Sequence, residues 1–333
     1  MYSFSDVYGN ELTVSYLKRA AQTKKPSHAY IISGAAGSGK KLITRTFAKA
    51  LQCEETYGAP CGKCVSCRTF DSMNHPDIIY VTSAANAKSI GVDDVRAQVL
   101  DKLSEKPFKY RFKIFIIEKG DTLTPAAQNA LLKALEEPAL YGVFLITAAN
   151  VGKFLPTVLS RIIVLKTKPL PMVSVYNYLT EKAGVPEKDA SEASGYCEGY
   201  IGKALSLLND EEFAQLKLAA EDIIKNTRET YAGIFEAAKE LEAYKPRMAE
   251  LLSILQIMYR DIIIYKATKS EKHLIWKQNI NCTKENASKF GMDILLKKMN
   301  AITYTMDILS KNASFAISAD VLMMDLNPLA EEI

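Results

Sequence analysis

The sequence predicts an α/β domain with a parallel sheet, followed by a region that is entirely helical. Two observations support this prediction. Up to residue 165, short apolar runs alternate with helical segments, which is the order in which parallel sheets and their crossover helices are built. After Lys166 only helical periodicity remains, and a stiff stretch, Lys168-Pro169-Leu170-Pro171, marks the change. At 333 residues the chain is long enough for two or three domains.

The predicted elements follow in order along the chain. Each predicted strand is a short, β-rich apolar run, and the strands cover residues 28–32, 77–82, 113–118, 143–147 and 162–165. Each predicted helix of the first part lies next to such a run, and these helices cover residues 11–23, 40–51, 92–105, 126–135 and 155–161. The second part shows helical periodicity over residues 173–183, 188–196 and 201–208, and in longer helices from residue 210 onward.

Composition excludes some classes of protein. With 48% hydrophobic and 24% charged residues the chain has the balance of a globular protein. It contains no stretch of about 18 apolar residues that could span a membrane, and it does not begin with a signal-peptide pattern. We therefore expect a cytoplasmic protein, in which six cysteines favour thiols or metal ligands over disulfides. The net charge of +4 permits contact with nucleic acid without requiring it.

A glycine-rich loop lies between the first predicted strand and the next helix. Residues 34–41 read G-A-A-G-S-G-K-K, which fits a phosphate-binding loop at every position except the last. The candidate nucleotide-binding residues are Gly34, Gly37, Gly39 and Lys40. Lys41 replaces the Ser or Thr that would ligate Mg²⁺, and its charge repels the metal. This replacement argues against binding of Mg²⁺–ATP, whereas nucleotide binding without hydrolysis stays open.

Four cysteines lie close together after this loop, at positions 53, 61, 64 and 67. Cys61, Cys64 and Cys67 have the spacing Cys-x-x-Cys-x-x-Cys, and Cys53 supplies a fourth sulfur. Four thiolates fill the tetrahedral shell of Zn²⁺ and leave no open position for catalysis. We therefore predict a structural zinc module over residues 53–67 in preference to redox cysteines. His75 is interpreted as a turn residue and not as a fifth ligand.

The order of several motifs resembles that of subunits of the bacterial DNA polymerase III clamp loader, which is a AAA+ ATPase assembly. The resemblance rests on Ser27–Tyr30 (S-H-A-Y), the phosphate loop, the cysteines, Asn74–Asp77 (N-H-P-D), Gln128–Pro138 (Q-N-A-L-L-K-A-L-E-E-P) and Ser160-Arg161. It covers residues 1 to about 165. The resemblance implies a AAA+ domain over residues 1–167, a helical lid over 168–208 and a helical collar for oligomerisation over 209–333.

Compared with an active site of that family, this sequence departs in four respects. Lys41 replaces the metal-binding hydroxyl, and Glu118-Lys119 replaces the Asp-Glu pair that holds the metal and acts as the base. Ala148-Ala149 replaces a Thr pair that senses phosphate, and Lys203 replaces the sensor arginine of the lid. The resemblance therefore implies the stator type of subunit, delta-prime, which has no ATPase or polymerase activity of its own. The alternative is a tau/gamma motor subunit that hydrolyses ATP.

One catalytic group should persist, according to the resemblance. Arg161 corresponds to an arginine finger that reaches the nucleotide of a neighbouring subunit, although Ile162 replaces the cysteine of the family motif. A surface ion pair is the alternative role. The implied partners are the delta and tau/gamma subunits in a ring, the sliding clamp and primer–template DNA, with no membrane, in the nucleoid-associated cytoplasm of a bacterium.

Residues 266–298 contain eight lysines around Trp276, a composition that suits either nucleic-acid contact or a solvated surface. We favour the solvated surface. A different class of function, a zinc-dependent nucleic-acid-binding module without ring partners, also remains open.

Overall fold

The computed structural model describes residues 2–84, 87–226, 230–276, 279–311 and 313–327. The chain divides into two compact units. The first comprises Met1–Tyr178 with Glu198–Lys203, and the second comprises Leu179–Cys197 with Ala204–Ile333. The residues predicted as a lid are thus divided between the two units, and the division into three domains stays a prediction.

The first unit contains a parallel five-stranded sheet, as predicted. Its strands are β1 (Ala29–Ser33), β2 (Ile78–Val81), β3 (Lys113–Ile117), β4 (Gly142–Ala148) and β5 (Ile163–Lys166). They lie in the order β2-β3-β4-β1-β5. Every residue of β1, β3 and β4 is buried. This explains their continuous apolar runs, because strands in the middle of a parallel sheet are covered on both faces.

Helices cover both faces of this sheet. They are α1 (Glu11–Thr23), α2 (Lys40–Gln52), α3 (Val65–Asp71), α4 (Val92–Val95), α5 (Asp101–Leu103), α6 (Pro125–Glu136), α7 (Pro156–Leu159) and α8 (Met172–Asn177). Phe47 of α2 packs in a cluster with Ile116 of β3, whereas Leu131 of α6 packs with Ile117 of the same strand. Successive side chains of a strand point to opposite faces, so α2 and α6 cover different faces of the sheet.

Two local features differ from the sequence-based expectation. The segment predicted as one helix over residues 92–105 consists of α4, a π-helical turn over Arg96–Leu100, and α5. The short helix α3 was not predicted. It begins inside the cysteine module, and its N-terminus is capped by the side chain of Cys64 instead of a Ser, Thr, Asp or Asn.

The second unit is helical, as predicted. Its helices are α9 (Glu187–Tyr196), α10 (Ile201–Leu208, whose first turn belongs to the first unit), α11 (Glu211–Lys225), α12 (Tyr231–Glu240), α13 (Met248–Thr268), α14 (Ile280–Lys289), α15 (Met292–Ser310) and α16 (Phe315–Leu326). The helical periodicity expected from residue 210 onward is visible on α13, where Leu251, Leu255, Met258 and Ile262 are buried in one core and Tyr265 packs against it. Among the described residues, no helix is both long and apolar enough to cross a membrane.

The basic stretch over residues 266–298 does not display its aromatic residue. Trp276 is only 4% exposed and packs edge-on against Tyr196. Lys284 pairs with Glu271 at 2.7 Å, while Lys277 lies outside the described residues. Trp276 therefore stabilises the core of the second unit, and this burial disfavours a role in stacking on a nucleic-acid base.

Candidate functional site

The glycine-rich loop connects β1 to α2 with the backbone of a phosphate-binding loop. Gly37 and Gly39 have φ angles of 74° and 81°, in the left-handed region that glycine adopts without strain, and Gly39 caps α2. The Nζ of Lys40 donates hydrogen bonds to the carbonyl oxygens of Gly34 and Ala35, both at 2.6 Å. Burial lowers the pKa of Lys40, and nearby Asp121 partly opposes this. All four predicted loop residues thus lie together in this turn.

A segment distant in sequence packs against this loop, within the same unit. The N–H of Gly202 donates to the carbonyl of Gly37 at 3.0 Å. A Cβ atom on Gly37 would lie 2.3 Å from the backbone nitrogen of Lys203. The Nζ of Lys203 pairs with Glu198 at 2.7 Å, so the residue that corresponds to the lid sensor binds a carboxylate of its own segment.

Glu118 follows β3, at the position where the resemblance implies a metal ligand, and it is held by two cations. Lys41 Nζ lies 2.6 Å from Glu118 Oε2, and Arg45 Nη2 lies 2.7 Å from Glu118 Oε1. Arg45 also donates from Nε to the same Oε1 at 3.0 Å. Its guanidinium lies 5.8 Å from the ring centroid of Tyr2 and 5.6 Å from that of Tyr80. Both oxygens of the carboxylate therefore bind side-chain cations of α2.

These contacts keep Glu118 ionised. Burial raises the pKa of its carboxyl group, but the hydrogen bonds from Lys41 and Arg45 outweigh burial and lower the pKa below its ordinary value of 4.5. Sequence reasoning identified Lys41 and missed Arg45. The sequence contains one signal for Arg45. It lies four residues after Lys41, and residues four apart on a helix lie on the same face.

The positions that the resemblance assigns to the catalytic base and the phosphate sensor carry other residues. Lys119 is exposed with a φ angle of 57°, and its backbone N–H donates to Thr147 Oγ1 at 3.2 Å. A protonated lysine has no lone pair with which to accept a proton from water. Ala148 is buried in β4 and Ala149 is exposed, and neither methyl side chain can donate a hydrogen bond to a phosphate.

The four predicted cysteines converge on one point. The Sγ atoms of Cys53, Cys61, Cys64 and Cys67 all lie within 4.8 Å of one another. Backbone N–H groups donate to three of these sulfurs, from Cys61 to Cys53 at 3.4 Å, from Cys64 to Cys61 at 3.3 Å and from Cys67 to Cys64 at 3.4 Å. Such donors stabilise thiolates, and four thiolates at this separation could hold a tetrahedral metal ion.

His75 lies outside this cluster and has a structural role. Its Nε2 is 3.1 Å from Ser66 Oγ, and burial lowers its pKa to about 4, so the ring is neutral at neutral pH. Asp77, which is fully buried, accepts the N–H groups of residues 108, 109 and 110 at distances between 2.5 and 2.9 Å. The N-H-P-D motif thereby fastens α3 and the loop before β3 to the sheet.

Arg161 follows α7 and is held at the surface. Its Nη2 pairs with Glu136 Oε1 at 2.8 Å, and its Nη1 donates to the Thr157 carbonyl at 2.8 Å and to Ser160 Oγ at 3.0 Å. Its side chain is 35% exposed. The surface ion pair considered for Arg161 is therefore present, and it leaves part of the side chain exposed.

Several known proteins are similar to parts of this chain. Residues 9–171 match the family described as "DNA polymerase III, delta subunit". The tau/gamma subunit of DNA polymerase III from Haemophilus influenzae is 34% identical over 211 residues, which are 62% of this chain and 30% of that protein. The tau subunit from Bacillus subtilis is 28% identical over 303 residues, 84% of this chain and 53% of that protein. Over the matched stretches, the chain is similar to clamp-loader subunits of DNA polymerase III.

The chain spans only part of the length of these relatives. It covers 30% of the Haemophilus influenzae protein and 53% of the Bacillus subtilis protein. A gamma-subunit-related protein from Thermotoga maritima superposes weakly, with a TM-score of 0.48 at 15% identity, over 94% of this chain and 98% of that one. The matched names include delta, tau and gamma subunits, so they do not distinguish one type of clamp-loader subunit from another.

Proposed function

We propose that this chain is a non-hydrolysing subunit of the DNA polymerase III clamp loader, with the stator role of delta-prime. In this role it assembles with delta and tau/gamma subunits and helps to load the sliding clamp onto primed DNA. The observation that carries the proposal is the binding of Glu118 by Lys41 and Arg45. A clamp-loader ATPase needs this carboxylate for Mg²⁺, and here it neutralises protein cations instead.

Electrostatics supports the absence of hydrolysis. A divalent ion placed 4 Å from one lysine or arginine is repelled by about 8 kcal/mol at an effective dielectric constant of 20. That figure is an upper estimate, because side chains can turn away, but Lys41 and Arg45 are both tied to the carboxylate that the metal would need. The ammonium of Lys119, at the position of the catalytic base, adds a second obstacle.

The contribution to catalysis is proposed to lie in Arg161, acting on the nucleotide of a neighbouring subunit. An arginine supplied in trans neutralises charge that develops on the transferred phosphoryl group, and such residues accelerate hydrolysis by roughly 10³–10⁵. The partial exposure of its guanidinium is compatible with this role. The four clustered cysteines are proposed to bind one structural Zn²⁺.

The second candidate is a motor subunit that hydrolyses ATP, and the tau and gamma names of the relatives favour it. The purified chain separates the two candidates. We expect no Mg²⁺-dependent phosphate release from the chain alone, and no gain in affinity for a fluorescent ATP analogue when Mg²⁺ is added. A reconstituted loader with its motor subunits is the positive control. Sustained turnover by the isolated chain would establish the motor function instead.

A further inference from the structure

Three sequence motifs meet at Arg161. Glu136 comes from the end of the L-L-K-A-L-E-E-P helix, His28 comes from the S-H-A-Y segment, and Ser160 precedes the arginine itself. The proposed function gives neither Glu136 nor His28 a role. We infer that both are positioning residues, which hold the Arg161 guanidinium ready for a phosphate group on a second subunit. This inference rests on the proposed function of Arg161.

The side chain of Arg161 is fixed by three acceptors from two elements. The carbonyl of Thr157 and the hydroxyl of Ser160 bind Nη1, and the carboxylate of Glu136 binds Nη2. Arginine is long and flexible, so an unsupported guanidinium would sample many positions and lose that freedom on binding. Contacts that exist before the partner arrives remove part of this cost.

The backbone of Arg161 is fixed as well. The Nε2 of His28 lies 2.9 Å from the carbonyl oxygen of Arg161, so an Nε2–H group donates to it. The carbonyl of His28 in turn accepts the N–H of Phe144 from β4 at 2.8 Å. His28 therefore connects the backbone of Arg161 to the centre of the sheet, and the residue is held at both ends.

This arrangement leaves the correct donors for phosphate. A guanidinium has five N–H donors. Nη1 donates to Thr157 and Ser160, and Nη2 forms the ion pair with Glu136. Nε–H takes part in none of these contacts, and it lies on the same edge of the guanidinium as one N–H of Nη2. Two parallel N–H groups of this kind bind a phosphate in a bidentate manner. Glu136 thus contacts the arginine through Nη2 and leaves Nε–H available to a phosphate.

The test uses the full chain in a reconstituted clamp loader, with DNA-stimulated ATP turnover as the readout. We expect Glu136→Gln to lower kcat by about two- to fivefold, the range of a partly exposed ion pair, with KM for ATP unchanged. Glu137→Gln is the matched control, because it removes the neighbouring carboxylate of the same helix end and should leave kcat unchanged. His28→Ala should lower kcat in the same way as Glu136→Gln. Assembly of each variant is checked by size-exclusion chromatography.

A double-mutant cycle separates positioning from a general structural effect. If Glu136 acts through the arginine, Glu136→Gln has no further effect on kcat in the Arg161→Ala background. An equal fall in that background, or a rise in kcat on Glu136→Gln, overturns the inference. If Arg161→Ala itself leaves turnover unchanged, the proposed arginine finger fails. If Arg161→Ala abolishes stimulation while Glu136→Gln and His28→Ala have no effect, only the positioning roles fail.

Discussion

Arg45 binds the carboxylate of Glu118 together with Lys41, although the motif comparison identified only Lys41. Its guanidinium lies between the rings of Tyr2 and Tyr80, which come from the N-terminus and from β2. The sequence predicts the charges at Lys41 and Lys119, because each replaces a recognisable motif residue. It does not predict the part played by Arg45, since the two tyrosines come together with it only in the folded chain.

Removal of the Glu118 charge should lower stability in a pH-dependent way. Glu118→Gln is expected to cost about 1–3 kcal/mol at pH 7, because hydrogen bonds to a charged group are lost and Lys41 and Arg45 are left unpaired. The folded-state pKa of Glu118 is lowered, so its contribution is present above pH 4.5 and is lost as the pH falls below that value. Urea denaturation at pH 7 and at pH 4 measures the difference between variant and wild type.

The matched control for Glu118→Gln is Asp93→Asn, because the side chain of Asp93 is 93% exposed. Its effect on the free energy of unfolding should stay within about 0.5 kcal/mol at both pH values. A Glu118→Gln penalty that is equally large at pH 4 and pH 7 would contradict the ion-pair explanation.

At the scale of elements, the phosphate loop serves as a packing surface. The sequence predicts its glycines from the nucleotide motif, and the structure adds a second reason for Gly37. The segment Glu198–Lys203 contacts the loop backbone so closely that a Cβ on Gly37 has no room. Gly39 has the same left-handed backbone, but nothing within 4 Å of a Cβ placed there. Substitutions at these two glycines can therefore distinguish the cost of backbone strain from the cost of lost packing.

Alanine substitutions at Gly37 and Gly39 should differ in cost. Gly39→Ala adds only the strain of a left-handed residue, about 1 kcal/mol. Gly37→Ala adds that strain and a clash with the backbone of Lys203, which should bring a further cost of about 1–3 kcal/mol. The free energy of unfolding from urea titration measures both. Equal costs at the two positions would mean that the contact with Glu198–Lys203 does not contribute to stability.

At the scale of the whole molecule, the sequence predicts the fold class and the positions of most elements. It does so because alternating apolar runs, helical stripes, the glycine loop and the cysteine spacing are local patterns. It does not predict the strand order or the packing of Glu198–Lys203 on the phosphate loop, since these depend on residues more than 100 positions apart. At the site, the ion pair between Glu136 and Arg161 joins two separate motifs, and neither motif alone predicts it.

The two units have separate hydrophobic cores. The fluorescence of the single tryptophan reports on the core of the second unit. The single tryptophan of the chain, Trp276, lies in the core of the second unit, whereas the four clustered cysteines belong to the first. Loss of the proposed metal should therefore act on the first unit alone. Domains with their own cores need not unfold in one transition, so two spectroscopic probes can show which unit a change affects.

Cys64→Ser should reduce bound zinc from one ion per chain to near zero, as measured by elemental analysis, because a tetrahedral site loses one thiolate. Part of the far-UV circular dichroism transition should move to lower temperature, since binding energy of a structural metal contributes to folding. The fluorescence transition of Trp276 should stay in place.

Cys282→Ala is the complementary control, because Cys282 and Trp276 line the same small cavity. It should keep the metal and shift the fluorescence transition, whereas a fluorescence shift with Cys64→Ser would show that the two cores unfold together.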